Sequence, residues 1–428
     1  MPSSNDGLPL LVSGETSWRH DKDNGGAAKH RSSNTLSAAL TALCWLLVVS
    51  QASHMIAPPS LSGAISSLAQ FGLMLCMIVF VLAAFTGTSG RHQVAGLISV
   101  LYLMHFSFSS SISETFQLSE AFRRFAPIFA LLTFYMVPKR TNFDRIHFTA
   151  VALVWLSLLY VLNSPAYFHE SEFFANAGDR QPRLWPFIEE SPHSTGYYIG
   201  ALAIICLVTI PAKSRQPYTW FVALTFCISI YILLGLRSSQ AILTFLAFCA
   251  GALVSDHRVA LVWRTATVVL GIMLSAYVVA RQILYNIDLM GYVDIYRMGS
   301  GRIGTWLGRI DDFSHRSLLE MLIGSGPGSD VYRGAMWTYE ATAHNTFITY
   351  LIEYGLVGFV FLLVTIAYLP RLFGKIIIPV LVATIASSLI GNGLLMRPLP
   401  MLLYLFAGYL WYAKFMRGRM PEVAEPKK

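Results

Sequence analysis

Long apolar runs alternate with short polar segments along almost the whole chain after residue 34. A helix needs about 20 apolar residues to cross the hydrocarbon core of a bilayer, and most of these runs are close to that length. Backbone groups find no partners in lipid, so an isolated run of this kind must be helical. The pattern predicts about twelve membrane spans, at residues 35–56, 62–86, 94–112, 122–137, 146–163, 195–211, 217–235, 240–255, 260–284, 344–367, 374–391 and 399–415.

The two ends of the chain have a different composition from the middle. Residues 1–34 are rich in Ser, Asn, Asp and Gly, which predicts a disordered cytoplasmic tail. A cleaved signal peptide begins with a short basic segment, so this long polar start makes the first apolar run a predicted signal anchor. We therefore expect a polytopic transmembrane domain at 35–415 and a second cytoplasmic tail at 416–428.

Composition restricts the class of protein further. Hydrophobic residues make up 55% of the chain and charged residues only 13%, whereas a soluble domain carries about 25% charged residues. These values exclude a soluble globular enzyme, a disordered protein and a disulfide scaffold. The five Cys lie inside apolar runs without paired spacing, which favours small buried side chains over a disulfide or metal site. The predicted fold class is an all-α integral membrane protein.

The distribution of basic residues predicts the orientation. The net charge of +8 fits Lys and Arg in cytoplasmic loops, so it does not indicate nucleic acid as a partner. With both termini inside, all eight Lys fall on inner segments. The outer segments carry Arg without Lys, and the planar guanidinium group of Arg matches the oxygens of a phosphate.

A long outer loop is predicted at about 285–343, and it contains a helical pattern from residue 302 to residue 322. Arg302, Arg309 and Arg316 recur every seven residues and form one basic stripe beside an apolar arc. Two interpretations remain open at this point. The helix could lie on the membrane with its Arg toward lipid headgroups, or it could present them to a lipid-linked phosphate.

Three further features of the outer side are candidates for function. Arg237 lies at the outer end of the seventh span, where a charge is costly and suggests a role. The glycine-rich segment 324–329 predicts a turn whose N–H groups could hold an anion. His344 and Asn345 open the tenth span, and a His can accept a proton near neutral pH. An ordinary polar helix start is the alternative for His344.

Taken together, three motifs resemble the O-antigen ligase and polysaccharide polymerase family. Its members are bacterial inner-membrane transferases that act on undecaprenyl-diphosphate-linked glycans. The resemblance covers residues 231–366, about a third of the chain. A glycine turn, Ile323-Gly324-Ser325-Gly326, lies between the second and third motifs. The motifs are Arg237-Ser238-Ser239, then Gly299-Ser300-Gly301-Arg302 with Trp306 close behind, then Ala343-His344-Asn345-Thr346 running into Glu353-Tyr354-Gly355-Leu356-Val357-Gly358.

The resemblance implies a fold similar to the type-C glycosyltransferases and a metal-independent transferase without a cofactor. It implies that Arg237 and Arg302 bind the donor diphosphate and that His344 activates the acceptor hydroxyl. Because they lie on the same basic stripe, we add Arg309 and Arg316 as substrate-binding candidates, and Asn345 joins them beside His344. A single displacement at the anomeric carbon would invert its configuration.

Several functions remain open from the sequence. The favoured one is a polymerase that joins repeat units of an exported polysaccharide. A ligase that moves the glycan onto a lipid A core is the alternative, and a variant transfers glycan to protein. A lipid-linked glycan transporter is the alternative of a different class. The expected partners are the lipid-linked glycan, a glycan or lipid acceptor, the lipid bilayer and the polysaccharide export machinery.

Overall fold

The computed structural model describes residues 90–112, 143–163, 192–210, 216–236, 238–256, 259–293, 302–330, 343–390 and 398–417, together with a few single positions between 61 and 71. Every regular element in these ranges is a helix, and no strand occurs among them. The predicted all-α class is therefore confirmed for the described part of the chain. Residues 1–34, residues 418–428 and the predicted spans at 35–56 and 122–137 lie outside it, as does nearly all of 62–86.

The described helices follow one another in a simple order. A short 3₁₀ helix at Lys375–Ile377 separates α9 from α10. The helices are α1 (Gly90–Ile112), α2 (Phe143–Asn163), α3 (Pro192–Val208), α4 (Gln216–Gly235), α5 (Ser239–Ser255), α6 (Leu261–Met290), α7 (Arg302–Ser314), α8 (Leu318–Ile323), α9 (Thr346–Phe373), α10 (Ile378–Ile390) and α11 (Pro398–Arg417).

Each predicted span that falls within the described ranges coincides with a helix. Two of these helices, α4 and α9, are long and apolar enough to cross a membrane by length and composition. Several others are apolar but shorter. The total of about twelve spans and the type-C arrangement stay predictions.

Two helices extend further than the apolar pattern predicted. The apolar run of α6 ends near residue 284, but the helix continues to Met290 and stops at Gly291, whose φ is 72°. The helix α9 likewise continues to Phe373 and stops at Gly374, whose φ is 80°. Glycine adopts positive φ without steric cost, so these two residues end the helices. The apolar pattern therefore predicted helix ends that were too early, because the helices continue as far as the glycines.

The helix α3 forms the centre of the described bundle. Its side chains from Ser194 to Val208 are buried, with Leu207 as the exposed exception. It packs against α2, α4, α5 and α11. A helix that is apolar on all sides can be enclosed by protein or by lipid, and α3 is enclosed by other helices. Glycines allow the close approach: a Cβ on Gly200 would collide with the hydroxyl group of Tyr404 in α11.

Candidate functional site

The helix α9 is interrupted near its N-terminal end. Gly355 has φ 65° and ψ −172°, which is not helical, so two helical segments meet at this residue. An interruption removes N–H partners from the carbonyl groups of the preceding turn. Buried carbonyl groups need hydrogen-bond donors from elsewhere. The break therefore makes α9 a place where another part of the chain can attach.

The glycine turn at 324–329 supplies several of these donors. The N–H of Ser325 donates to the carbonyl of Ile352 at 3.2 Å, and the N–H of Gly326 donates to the carbonyl of Glu353 at 2.9 Å. A Cβ on Gly324 would collide with the backbone of Glu353, and Gly324 itself has φ 89°. Only glycine fits this approach, so the turn is docked directly on the broken helix.

The same turn also holds the carboxyl group of a residue of the protein itself. The N–H of Gly328 donates to Oε1 of Glu353 at 3.0 Å, and Glu353 is fully buried. The backbone N–H groups of the turn are engaged with α8, with α9 or within the turn itself. The predicted turn is therefore present at 324–329, and its N–H groups are engaged with groups of the protein; binding of an external anion stays a prediction.

The helix α1 covers the other side of the break. The hydroxyl of Ser109 donates to the carbonyl of Glu353 at 3.0 Å. Nε2 of His105 lies 3.1 Å from the carbonyl of Tyr354, so the His105 tautomer with a proton on Nε2 can donate to it. A Cβ on Gly358 would lie 2.7 Å from that nitrogen, which explains the small residue. The carbonyl groups at the break in α9 therefore accept hydrogen bonds from both the glycine turn and α1.

The predicted helix over residues 302–322 forms as two helices, α7 and α8. The chain leaves α7 after Ser314 and starts again at Leu318. Ser317 caps α8 by accepting from the N–H of Glu320, while the Glu320 carboxylate accepts from the N–H and hydroxyl of Ser317. These bonds lower the pKa of Glu320. A capping box of this kind starts a new helix, which the heptad spacing of Arg did not reveal.

The basic stripe of α7 faces the protein. Arg309 is only 3% exposed, and Arg302 and Arg316 are partly buried. On another side of α7, Leu307 and Ile310 are 42% and 47% exposed. The apolar residues Leu318, Leu319 and Leu322 of α8 are exposed as well. Arg309 therefore points into the protein, and both interpretations of the basic stripe that the sequence left open stay predictions.

Arg309 is held by two carboxylates. Its Nε donates to Oδ1 of Asp330 at 2.9 Å, and its Nη1 donates to Oδ2 of Asp312 at 3.3 Å. Asp330 is 1% exposed. Asp312 lies one helical turn after Arg309 and is partly exposed. The arrangement gives Arg309 a structural role, and its part in substrate binding stays a prediction.

Arg316 connects the segment between α7 and α8 to the broken helix. Its Nη1 donates to the carbonyl of Ile352 at 3.1 Å and to the hydroxyl of Ser325. Burial lowers the pKa of the Arg316 guanidinium, and the positive charge of Arg309 adds to that effect. Like Arg309, Arg316 supports the loop, and substrate binding by Arg316 remains untested.

The turn that carries His344 is anchored on both sides. Before it, the N–H of Ala343 donates to Oδ2 of Asp330 at 3.0 Å, and Nε1 of Trp306 donates to the carbonyl of Ala343 at 2.7 Å. After it, the side chain of Asn345 caps α9. His344 has φ 51° and is the non-glycine residue with positive φ among those described. Its conformation is thus imposed by fixed neighbours.

Asn345 has a clear structural task. Its Oδ1 accepts from the N–H groups of Phe347 at 3.0 Å and Ile348 at 3.3 Å, as an N-cap side chain does. Its Nδ2 donates to the carbonyl of Leu389 in α10 at 3.2 Å. Asn345 therefore fixes the start of α9 against α10, and its predicted contact with substrate stays a prediction.

Arg302 lies at the start of α7, near Tyr197 in the N-terminal part of α3. Burial lowers the pKa of its guanidinium, and the nearby Tyr197 of α3 partly offsets that effect. Arg237 lies outside the described residues. Its neighbour Ser238 is buried, and a Cβ on Gly196 would lie 3.5 Å from the Cβ of Ser238. The end of α3 thus contacts both the Arg302 region and the start of α5.

Asp330 is the site residue that sequence reasoning missed. It follows the glycine turn, and a single acid in an outer loop usually indicates a solvated carboxylate. Glu353 is an acid within an apolar span, and the local sequence does not indicate its partner. Arg309 and Asp330 are 21 residues apart in the sequence, and Gly328 and Glu353 are 25 residues apart. Contacts over such separations cannot be predicted from a local sequence pattern.

No known protein-family model matches this chain, and no curated protein matches it. The resemblance set out above therefore remains a comparison of short motifs.

Proposed function

We propose that the chain is a glycosyltransferase of the bacterial inner membrane that works on the periplasmic side. It transfers a glycan from undecaprenyl diphosphate to an acceptor hydroxyl, in a twelve-span fold with both termini cytoplasmic. The observation that carries the proposal is the attachment of α7, whose basic side faces inward, to the turn that bears His344. The order of the motifs in the sequence supports the same function.

The proposed reaction is a single displacement at the anomeric carbon of the donor sugar. The acceptor oxygen forms a bond to this carbon while the bond to the diphosphate oxygen breaks, and the electron pair leaves on the diphosphate. Arg302 and Arg237 stabilise the negative charge that develops there. His344 takes the proton from the attacking hydroxyl. No nucleotide is required, because the lipid diphosphate is already an activated leaving group.

The surroundings of Arg302 suit this task. A guanidinium group keeps its charge even when partly buried, because Arg is effectively never deprotonated in proteins. Removal from water strengthens its attraction to a phosphate oxygen, since the interaction energy rises as the effective dielectric constant falls. Arg302 at the edge of the bundle can therefore offer a stronger contact to a diphosphate than a solvated Arg would.

We propose polymerisation of repeat units as the physiological reaction, with ligation onto a lipid A core as the alternative. Both reactions use the same donor chemistry and differ in the acceptor. A transporter would instead place its polar groups near the midplane of the membrane. The described polar contacts that hold α7 and the His344 turn lie in the segment between α6 and α9, which favours transfer over transport.

Substitution of the two central residues tests the site. We expect Arg302→Ala and His344→Ala to reduce transfer by about 100-fold or more, the scale of losing a charge-stabilising or proton-accepting group. Membrane abundance should stay unchanged. Arg281→Ala and His315→Ala are matched controls, because both residues are exposed and lie outside the site. Full activity of both site variants would refute the assignment.

The stereochemistry of the product gives a second test. A single displacement inverts the anomeric configuration, so a donor of defined configuration should give the opposite linkage. Nuclear magnetic resonance of the purified oligosaccharide measures this directly. A retained configuration would contradict the proposed mechanism while leaving transfer itself intact.

A further inference from the structure

One residue, Ala343, is held from both sides immediately before His344. Its N–H donates to Oδ2 of Asp330 at 3.0 Å, and its carbonyl accepts from Nε1 of Trp306 at 2.7 Å. Ala343 is fully buried. Because side chains of other segments bond both the N–H and the carbonyl of Ala343, its backbone has little conformational freedom. The backbone position of His344, the next residue, is therefore restricted as well.

Asp330 joins three separate segments of the chain. One carboxylate oxygen accepts from Nε of Arg309 in α7, and the other accepts from Ala343 and from the hydroxyl of Thr349 in α9. Hydrogen bonds to a buried charged group are short and strong compared with neutral ones. The carboxylate therefore fixes α7, the His344 turn and the start of α9 relative to one another.

The backbone of His344 agrees with such a constraint. Its φ of 51° lies in the left-handed region, which non-glycine residues adopt only occasionally. Such conformations persist where the surrounding structure determines them, and they concentrate at functional sites. Here the determinants are Ala343 on one side and the capping residue Asn345 on the other.

We propose that Asp330 is a positioning residue that, together with Trp306, fixes the side chain of His344 relative to Arg302. Arg302 precedes Arg309 by seven residues, two turns of the same helix, so a bond at Arg309 also sets the place of Arg302. The spacing of the two proposed catalytic groups thus depends on a carboxylate that touches neither. The catalytic consequence of this inference rests on the proposed function, whereas the positional one does not.

The positional part can be tested without any transfer assay. Diethyl pyrocarbonate adds an ethoxycarbonyl group to accessible, unprotonated imidazole nitrogen, and mass spectrometry of peptides gives the rate at each His. The purified full-length protein would be treated as wild type, Asp330→Asn and Trp306→Phe. Asp288→Asn is the matched control, because it makes the same change at an exposed position of α6. His315, whose side chain is 76% exposed, is the internal reference.

We expect both site variants to raise the rate at His344 by roughly tenfold, because the turn opens locally when one of its anchors is lost. The rate at His315 should not change in any variant. An unchanged His344 rate in Asp330→Asn and Trp306→Phe would overturn the proposal. If Asp330→Asn does not reach the membrane, Trp306→Phe alone decides the question, since it removes one hydrogen bond and keeps the aromatic ring.

Kinetics separates positioning from general damage. A misplaced proton acceptor should lower kcat by about 100-fold in Asp330→Asn, the order expected for a shift of about 1 Å. The KM for the lipid-linked donor should stay nearly constant. A raised KM with unchanged kcat would overturn the positioning role. Absence of transfer in the wild type would instead refute the proposed function, and the carbethoxylation result would stand by itself.

Discussion

The central helix α3 and the segment that runs from α7 to the start of α9 are held in place by different forces. In α3 the buried side chains are mostly apolar, and they pack on four neighbouring helices. Between α7 and α9 the contacts are directional. They are a buried ion pair at Arg309 and Asp330, a hydrogen bond from the glycine turn to the carboxyl group of Glu353, and side chains bonded to backbone groups.

The two regions should therefore differ in how well they tolerate substitutions. Apolar packing has no preferred direction, and substitutions that conserve shape and volume cost little. A buried charge must keep its partner, because the loss of one partner leaves the other without compensation. We therefore expect the loop that holds the proposed site to be sensitive to single polar changes, while the bundle accepts conservative ones.

The largest contrast should come from the buried ion pair. Arg309→Met leaves the buried carboxylate of Asp330 without its positively charged partner. We expect a loss of about 3–5 kcal/mol in the free energy of unfolding. Ile199→Val in α3 should cost only about 1 kcal/mol. Denaturation in mixed detergent micelles, followed by Trp fluorescence, measures both variants. Equal losses would remove the distinction between the two regions.

A paired replacement sharpens the same contrast. Arg309→Met combined with Asp330→Leu removes both charges, so no buried carboxylate is left behind. We expect the double variant to recover only part of the stability lost in Arg309→Met. Apolar replacements of buried ion pairs are often neutral, but Asp330→Leu also removes the acceptor of the Ala343 N–H and the Thr349 hydroxyl. No recovery would mean that these two hydrogen bonds outweigh the ion pair.

The second largest effect should appear at the break in α9. A Cβ on Gly355 would collide with the backbone at Leu322 and would have to adopt φ 65°. We expect Gly355→Ala to cost about 3 kcal/mol from strain and overlap. Gly271→Ala is the matched control in α6, where a Cβ meets nothing within 4 Å. It should be neutral or slightly stabilising in the same denaturation experiment.

A smaller effect is expected at the cap of α9. Asn345→Ala removes the acceptor for two N–H groups and the bond to the carbonyl of Leu389. Loss of an N-cap costs about 1–2 kcal/mol. Asn345→Asp keeps the capping oxygen and should retain most of the stability. Thermal unfolding of the two variants, compared in one detergent, separates the capping bonds from the bond to α10.

The smallest effect should depend on pH. The bonds from Ser317 lower the pKa of Glu320 below its usual value of 4.5. A carboxyl group with a lowered pKa in the folded protein stabilises it above the unfolded value and loses that contribution as the pH falls through the folded value. Ser317→Ala should cost about 1 kcal/mol at neutral pH. Its difference from wild type should shrink below pH 4.5, and a constant difference would contradict the capping box.

The helices could be predicted from sequence because their cause is local. The span predicted at 217–235 is observed as Gln216–Gly235, since an uninterrupted apolar run suffices to define it. The break at Gly355 could not be predicted in this way. Glycine is common in membrane helices, and the apolar run continues through it. Its special backbone depends on the glycine turn, which lies about 30 residues earlier in the chain.

The proposed catalytic residues could be predicted from the sequence, but the residues that hold them in place could not. Arg302 and His344 could be named from motif and spacing, and the basic stripe was evident from its heptad period. Which way the stripe faced could not be read from the sequence, because the apolar arc beside it predicts a buried face, whereas Leu307 and Ile310 of that arc are exposed and Arg309 is buried. The burial of Arg309 follows from Asp330, and that pairing is set by the folded path of the glycine turn.

The measurement that tests the central claim is the length of the glycan product in proteoliposomes. The purified protein would receive the lipid-linked repeat unit of its host alone, and then with a lipid A core added. We predict a ladder of longer lipid-linked chains, absent in His344→Ala and Arg302→Ala and present in His315→Ala. Transfer that occurs only with the core would redefine the protein as a ligase. No transfer under either condition, with movement of the lipid across the bilayer, would contradict the claim that this protein is a glycosyltransferase.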